Sequence, residues 1–167
     1  VIDARAAAHT VVAADVESLN VNSTGKMAAI VTKVEGYKAD LVTNTLTLAG
    51  SNKLASVVVT GDQAFSLAST AAMTKLASVD GSANTGGVTF NGFLADMTTP
   101  TTSVAMTIKG SATAANTLTG TGHADTIVGG AKVDTITGGK GGDTLTGNGG
   151  NDKFVFAAGD SAIGTGT

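Results

Sequence analysis

Between Gly120 and Val155 the chain repeats itself every nine residues, and each repeat carries one carboxylate. The units read GTGHADTIV, GGAKVDTIT, GGKGGDTLT and GNGGNDKFV. Aspartates fall at Asp125, Asp134, Asp143 and Asp152, with an apolar residue two places later at Ile127, Ile136, Leu145 and Phe154. A weaker unit ahead of them keeps the step with Asn116 and Leu118. Glycines at the first, second and fourth places permit turns with φ > 0. The three residues after the aspartate, such as Thr144-Leu145-Thr146, are β-formers with the apolar one in the middle. Each unit therefore reads as a six-residue turn and a three-residue strand, and two units complete one circuit of a flat parallel coil.

Residues 18 apart then stack, so Asp125 stands under Asp143 and Asp134 under Asp152. Stacked strands lie ~4.8 Å apart, and two ionised carboxylates at that separation repel each other. Calcium takes oxygen ligands at ~2.4 Å, so an ion placed between coils bridges the two carboxylates at the natural strand spacing. Glycine-exposed turn carbonyls are available to complete its shell. The competing reading is that Asp and Gly simply make turns; the unbroken nine-residue phase speaks against it.

The pattern GGxGxDxUx, with U a large apolar residue, has one perfect copy at Gly138–Thr146. It resembles the RTX (repeats-in-toxin) family of secreted bacterial proteins. The resemblance implies a parallel β-roll and a ligand set. One unit gives its Asp and the carbonyls of places two and four; the unit 18 residues on gives its Asp and the carbonyls of places one and three. Thr121, His123 and Asp125 would join Gly138, Lys140 and Asp143. Gly130, Lys132 and Asp134 would join Gly147, Gly149 and Asp152. A third, weaker site would join Ala112, Ala114 and Asn116 to Gly129, Ala131 and Asp134. His123 and Lys132 depart from glycine at place four, and Asn116 offers a neutral oxygen.

Composition bounds the remainder. Charged residues make up 14% and aromatics 4%, with 23 glycines and one proline, which suits a thin solenoid better than a bulky globular core. There is no cysteine, so disulfides and thiolate metal sites are excluded. A net charge of −3 without a basic cluster argues against nucleic acid. No run of about 20 apolar residues is present to span a membrane as a helix, and no cleavable signal is visible at Val1. The chain reads as a piece of a longer polypeptide.

Upstream, Lys53-Leu54-Ala55-Ser56-Val57 recurs as Lys75-Leu76-Ala77-Ser78-Val79. Strand signals sit at Leu19–Val21, Leu46–Leu48, Val57–Val59, Phe65–Leu67, Val88–Phe90 and Val104–Ile108. Strands of one phase step by ~20 residues, near positions 46, 66, 88 and 106, which points to solenoid coils. Further strands are expected at Ile2 and Thr10–Val12, with a short helix in the alanine-rich start as the alternative. Lys26–Asp40 reads as an insertion and Asn91–Ser103 as a loop. The expected organisation is an irregular β-solenoid over 1–109, the nonapeptide roll over 110–156, and a tail or the start of another segment over 157–167.

The combination of VESLNV, NTLTLAGSNKLASVVVTG, ASVDGSANTGGVTF, the nonapeptides and NDKFVFAAGDS resembles calcium-dependent S-layer and related surface proteins of Gram-negative bacteria. That resemblance implies export by type I secretion, an extracellular cell-surface location and self-association in a lattice or fibre, with cell-surface polysaccharide a further partner. The sequence shows no GxSxG, HExxH or P-loop, so a structural role is expected and not an enzyme. The alternatives are an RTX adhesin module and the C-terminal calcium domain of a secreted hydrolase. His123 as a zinc ligand, Asp160 as a terminal calcium ligand, and Phe154 and Phe156 as a partner patch each have a plainer reading. Those readings are an exposed turn residue, a loop residue and a plug for the end of the roll.

Overall fold

A computed structural model describes residues 9–11, 16–23, 43–48, 53–69, 73–91, 104–156 and 160. Among them are thirteen strands and no helix. The strands are β1 (His9–Val11), β2 (Ser18–Asn22), β3 (Thr43–Leu48), β4 (Ser56–Gly61), β5 (Ala64–Ser69), β6 (Ser78–Asn84) and β7 (Val88–Phe90). Six three-residue strands follow: β8 (Thr107–Lys109), β9 (Thr117–Thr119), β10 (Thr126–Val128), β11 (Thr135–Thr137), β12 (Thr144–Thr146) and β13 (Lys153–Val155). Successive strands alternate between two sheets, ordered β1-β3-β5-β7-β9-β11-β13 and β2-β4-β6-β8-β10-β12. Every pairing is parallel, so two strands and two turns make one coil of an all-β solenoid.

Alternation of side chains fixes what each strand buries. β3 shows it over its whole length, with Asn44, Leu46 and Leu48 buried between more exposed threonines. In the short strands from β8 onward only the central residue points inward, as Leu118, Ile127 and Ile136 do. Register stacks these residues into two columns. One sheet aligns Leu46, Leu67, Phe90, Leu118, Ile136 and Phe154. The other aligns Leu19, Val57, Val79, Ile108, Ile127 and Leu145. The columns face each other and form the core; all are buried until the last coil, where Leu145 is half-buried and Phe154 is exposed.

The KLASV repeat is one coil apart in space: Ser56 pairs with Ser78 and Val57 with Val79, while Leu54 and Leu76 are both buried. Pattern reading gave no strand to Ser78–Asn84, because Asp80, Gly81 and Ser82 break its apolar alternation. The strand forms regardless, with a bulge where Val58 pairs with Asp80 but Thr60 with Ala83.

The same-phase step of ~20 holds through Leu46, Leu67 and Phe90 and then fails. Ile108 pairs with Val79 in the other sheet, and Leu118 follows Phe90. Phe90 and Thr107, the ends of successive strands in opposite sheets, are separated by nearly a whole coil's length of sequence. Spacing counts residues, whereas sheet membership is decided by backbone pairing.

The strand expected over Val104–Ile108 is only Thr107–Lys109; Met106 is buried just before it and Val104 is exposed. β1 lies at His9–Val11, one residue before the expected Thr10–Val12. Ile2, Lys26–Asp40 and 92–103 lie outside the described residues. Both sheets run on through Gly110, since β6 pairs with β8, β8 with β10, and β7 with β9.

Candidate calcium turns

The repeats place their turns along the two edges of the solenoid. Turns 120–125 and 138–143 stack on one edge; turns 111–116, 129–134 and 147–152 stack on the other. The tight approach is visible at place one: a Cβ on Gly129 would lie 2.3 Å from Asp134 Oδ2. Without a side chain there, the carboxylate folds back beneath its own turn. At place two, Gly139 has φ +96°, and a Cβ on it would lie 2.0 Å from the carbonyl oxygen of Thr121.

Each aspartate accepts from the coil before it, and Asp125 and Asp134 accept from their own turn as well. Asp143 Oδ1 accepts from Asp125 N at 2.9 Å, and Asp125 Oδ1 from Met106 N at 2.7 Å. On the other edge Asp152 Oδ1 accepts from Asp134 N at 3.0 Å, and Asp134 Oδ1 from Asn116 N at 2.7 Å. The second oxygens turn to their own loops. Asp134 Oδ2 accepts from Gly130 N at 2.6 Å; Asp125 Oδ2 accepts from Thr121 N and, at 2.9 Å, from the Thr121 hydroxyl. Pattern reading found the stacked aspartates but not this amide ladder. The period alone carried its signal, since a side chain repeated every 18 residues is delivered to the same backbone position of the preceding coil.

Asp125 and Asp134 are fully buried, whereas Asp143 and Asp152 are half-buried. The Asp143 carboxyl is held above its ordinary range by burial, against the Asp125 N–H, and by the neighbouring charges of Asp125 and Asp160. Negative charge is thus gathered on this edge with amide donors only partly offsetting it. Asp160, outside the nonapeptide phase, faces Asp143 closely enough to be felt.

The expected carbonyls fall on the same edges. Those of Thr121 and His123 lie against Gly139 and Gly141, and that of Gly138 lies against Gly120. Those of Lys132 and Gly147 lie against Gly150 and Gly129. The Gly130 carbonyl already accepts from Gly149 N at 3.0 Å, leaving its second lone pair. Lys140 and Gly149 are exposed, and His123 is half-buried. Ala112 accepts from Ala131 N at 3.0 Å and Ala114 from the Asn116 amide at 3.0 Å. Asn116 is buried and turns its amide nitrogen, not its oxygen, toward Asp134.

Among the described residues no three His, Cys, Asp or Glu side chains gather. A site of this kind therefore draws on two carboxylates and main-chain oxygens, a hard, all-oxygen donor set that suits calcium. At the Asp125/Asp143 and Asp134/Asp152 turn pairs the residues fit such an ion. A cation there would offset carboxylate charge that burial otherwise penalises.

Comparison with known families gives a match to the RTX calcium-binding nonapeptide repeat, in a model of four copies, over residues 113–132, 119–154 and 128–162. No curated protein and no solved structure matches the chain. Repeats of this family bind calcium ions. The C-terminal part of the chain, residues 113–162, is therefore a run of RTX calcium-binding nonapeptide repeats, which forms the last coils of a parallel β-solenoid.

Proposed function

We propose that this chain is part of a structural protein of an extracellular surface assembly, S-layer-like in kind, whose C-terminal coils fold when calcium binds. The observation that carries this reading is the stacking of aspartates across successive coils, buried Asp125 with half-buried Asp143 and buried Asp134 with half-buried Asp152. A carboxylate column of this kind opposes folding until a cation enters, and a ligand that binds only the folded form contributes its binding free energy to folding. Extracellular calcium modules bind at ~10⁻⁴–10⁻³ M, so the chain would stay open where calcium is scarce and wind where it is plentiful. That behaviour suits export by type I secretion, which is typical of RTX proteins.

The role is mechanical and not catalytic; calcium stiffens the coils. The solenoid presents long, sparsely charged flanks, such as the threonines of β8 to β12, which a lattice of copies would cover.

Two measurements test the two halves of the reading. Amide exchange with calcium and with a chelator should differ strongly over residues 116–156 and less over 43–91. Equal protection of 116–156 in both would remove the calcium switch. Sedimentation of the parent protein at millimolar calcium should show assemblies that dissolve on chelation. A monomer under both conditions would favour the single-copy tail of a secreted hydrolase.

A further inference from the structure

The third pair of turns, 111–116 over 129–134, has the repeat phase but not the chemistry of the other two. Its central side chain, Asn116, is 4% exposed and fully engaged. Its Oδ1 accepts from Val88 N at 3.0 Å and from Ser111 N at 2.7 Å. Its Nδ2 lies 3.0 Å from the Ser111 carbonyl, 3.0 Å from the Ala114 carbonyl and 2.9 Å from Asp134 Oδ1. The orientation of the amide is fixed by these neighbours. Turned over, its NH₂ would meet two N–H groups and its oxygen would meet three acceptors.

The Ala114 carbonyl and the Asp134 carboxylate are two of the oxygens that a calcium ion between these turns would need. Two more already accept one hydrogen bond each, as the Gly130 carbonyl does at the fitting pair, and keep a second lone pair. The Gly129 carbonyl accepts from Asn148 Nδ2 at 3.1 Å, and the Ala112 carbonyl from Ala131 N at 3.0 Å. An ion there would have to turn the Asn116 oxygen inward, which leaves the N–H groups of Val88 and Ser111 buried without that acceptor. It would also find one carboxylate in place of two. The turns of the Asp125/Asp143 pair contain no amide side chain at all. One coil earlier, on the same edge as Asn116, Asn84 works in a similar way. Its Oδ1 accepts from Gly86 N and Gly87 N, and its Nδ2 donates to the Thr60 and Gln63 carbonyls.

We infer that the turn pair 111–116/129–134 is closed by the amide protons of Asn116 in place of a metal ion, and that Asn116 marks the coil at which calcium dependence begins. The residues here do not fit calcium, although the nine-residue phase runs through them. A single exchange of Asn for Asp supplies the missing carboxylate and removes the blocking protons, so a metal site lies latent at this position. The inference rests on the calcium reading of the two later turn pairs.

The test compares the full chain with its Asn116→Asp variant by equilibrium dialysis against calcium. The variant should bind one calcium more than the parent, and in chelator it should be less stable than the parent, since a second carboxylate replaces the amide donor beside Asp134. Equal calcium counts for the two proteins would overturn the inference. Should the variant fail to fold, nuclear magnetic resonance of the unaltered chain decides. The Asn116 side-chain amide protons should stay slow to exchange and unshifted at saturating calcium. If calcium exposes or shifts them, the amide is not what closes the turns. A parent that binds no calcium would defeat the proposed function, while the state of the Asn116 amide would still be read directly.

Discussion

The Asp134 carboxylate accepts from the Asn116 main chain, the Asn116 amide and the Gly130 N–H, and its own N–H is taken by Asp152. Removing it strands buried donors, each of which costs ~1–3 kcal/mol. Asp134→Ala is therefore expected to lower stability by at least about 2 kcal/mol at saturating calcium, more than Asp152→Ala, whose carboxylate is half-buried at the last coil. Denaturant titration of both variants checks the order.

Asp143 gives a pH signature. Its folded pKa is raised, by burial first and then by Asp125 and Asp160. The folded state therefore holds this proton more tightly than the unfolded chain does. Without calcium, stability from this group is greatest below the unfolded pKa and falls as pH rises through the raised folded value. Calcium binding at the Asp125/Asp143 turns should run the other way, weakening as pH drops through the same range, since the proton and the ion compete. Thermal melts in chelator should show the decline, and Asp143→Asn should flatten it. At this scale the aspartates were legible because a turn by itself does not require a carboxylate at every ninth residue, whereas a column of cations does. Asn116 was not, because its letter shows an oxygen and a nitrogen without saying which one faces the turn.

Each turn-and-strand unit works only if its glycines sit where the coil before it is close. Gly139 combines a left-handed φ of +96° with a carbonyl in the way of any Cβ. Gly142, in the same unit, has open space around its missing side chain. Gly139→Ala should cost at least about 1–2 kcal/mol, the penalty for placing an L-residue in that conformation, and should weaken calcium binding. Gly142→Ala should stay within about 0.5 kcal/mol of the parent. Calorimetry on the pair separates a geometric demand from mere glycine richness; a similar cost at both positions would refute it.

The strands β9, β11 and β12 were readable from their Thr-apolar-Thr triplets, and β10 and β13 from the nine-residue register. β6 was not, since its register comes from stacking on β4 and β8, and its Asp80 side chain is occupied locally by the Ser82 N–H and hydroxyl. The sheet membership of Ile108 was hidden for a related reason: a connection of free length carries no phase.

Across the molecule, one two-sheet frame accepts two kinds of turn. In the early coils Asn84 and Asn116 satisfy carbonyls with their own protons; in the late coils Asp125, Asp134, Asp143 and Asp152 leave charge for an ion to balance. The core does not change character at the crossing, because Ile108 stacks on Ile127 and Leu118 on Ile136 as earlier residues do. The late coils thus have a finished surface to wind onto, and calcium has only to add coils to it. The solenoid as a class was visible from composition and period.

The parallel stacking also has a mechanical consequence. Each late strand binds only the coils next to it, as Ile127 pairs with Ile108 and Leu145 and Ile136 with Leu118 and Phe154. Tension applied along the stacking axis therefore loads one coil at a time, as in a zipper, and does not shear all the strands together. Held between optical tweezers, the chain should lengthen in steps, each freeing about 60 Å of extended backbone. Adding calcium should raise the force of the final coils and leave those built on Asn84 and Asn116 unchanged. A surface built from such subunits would yield by letting out slack in small increments, with its toughest links set by the salt of the water around it.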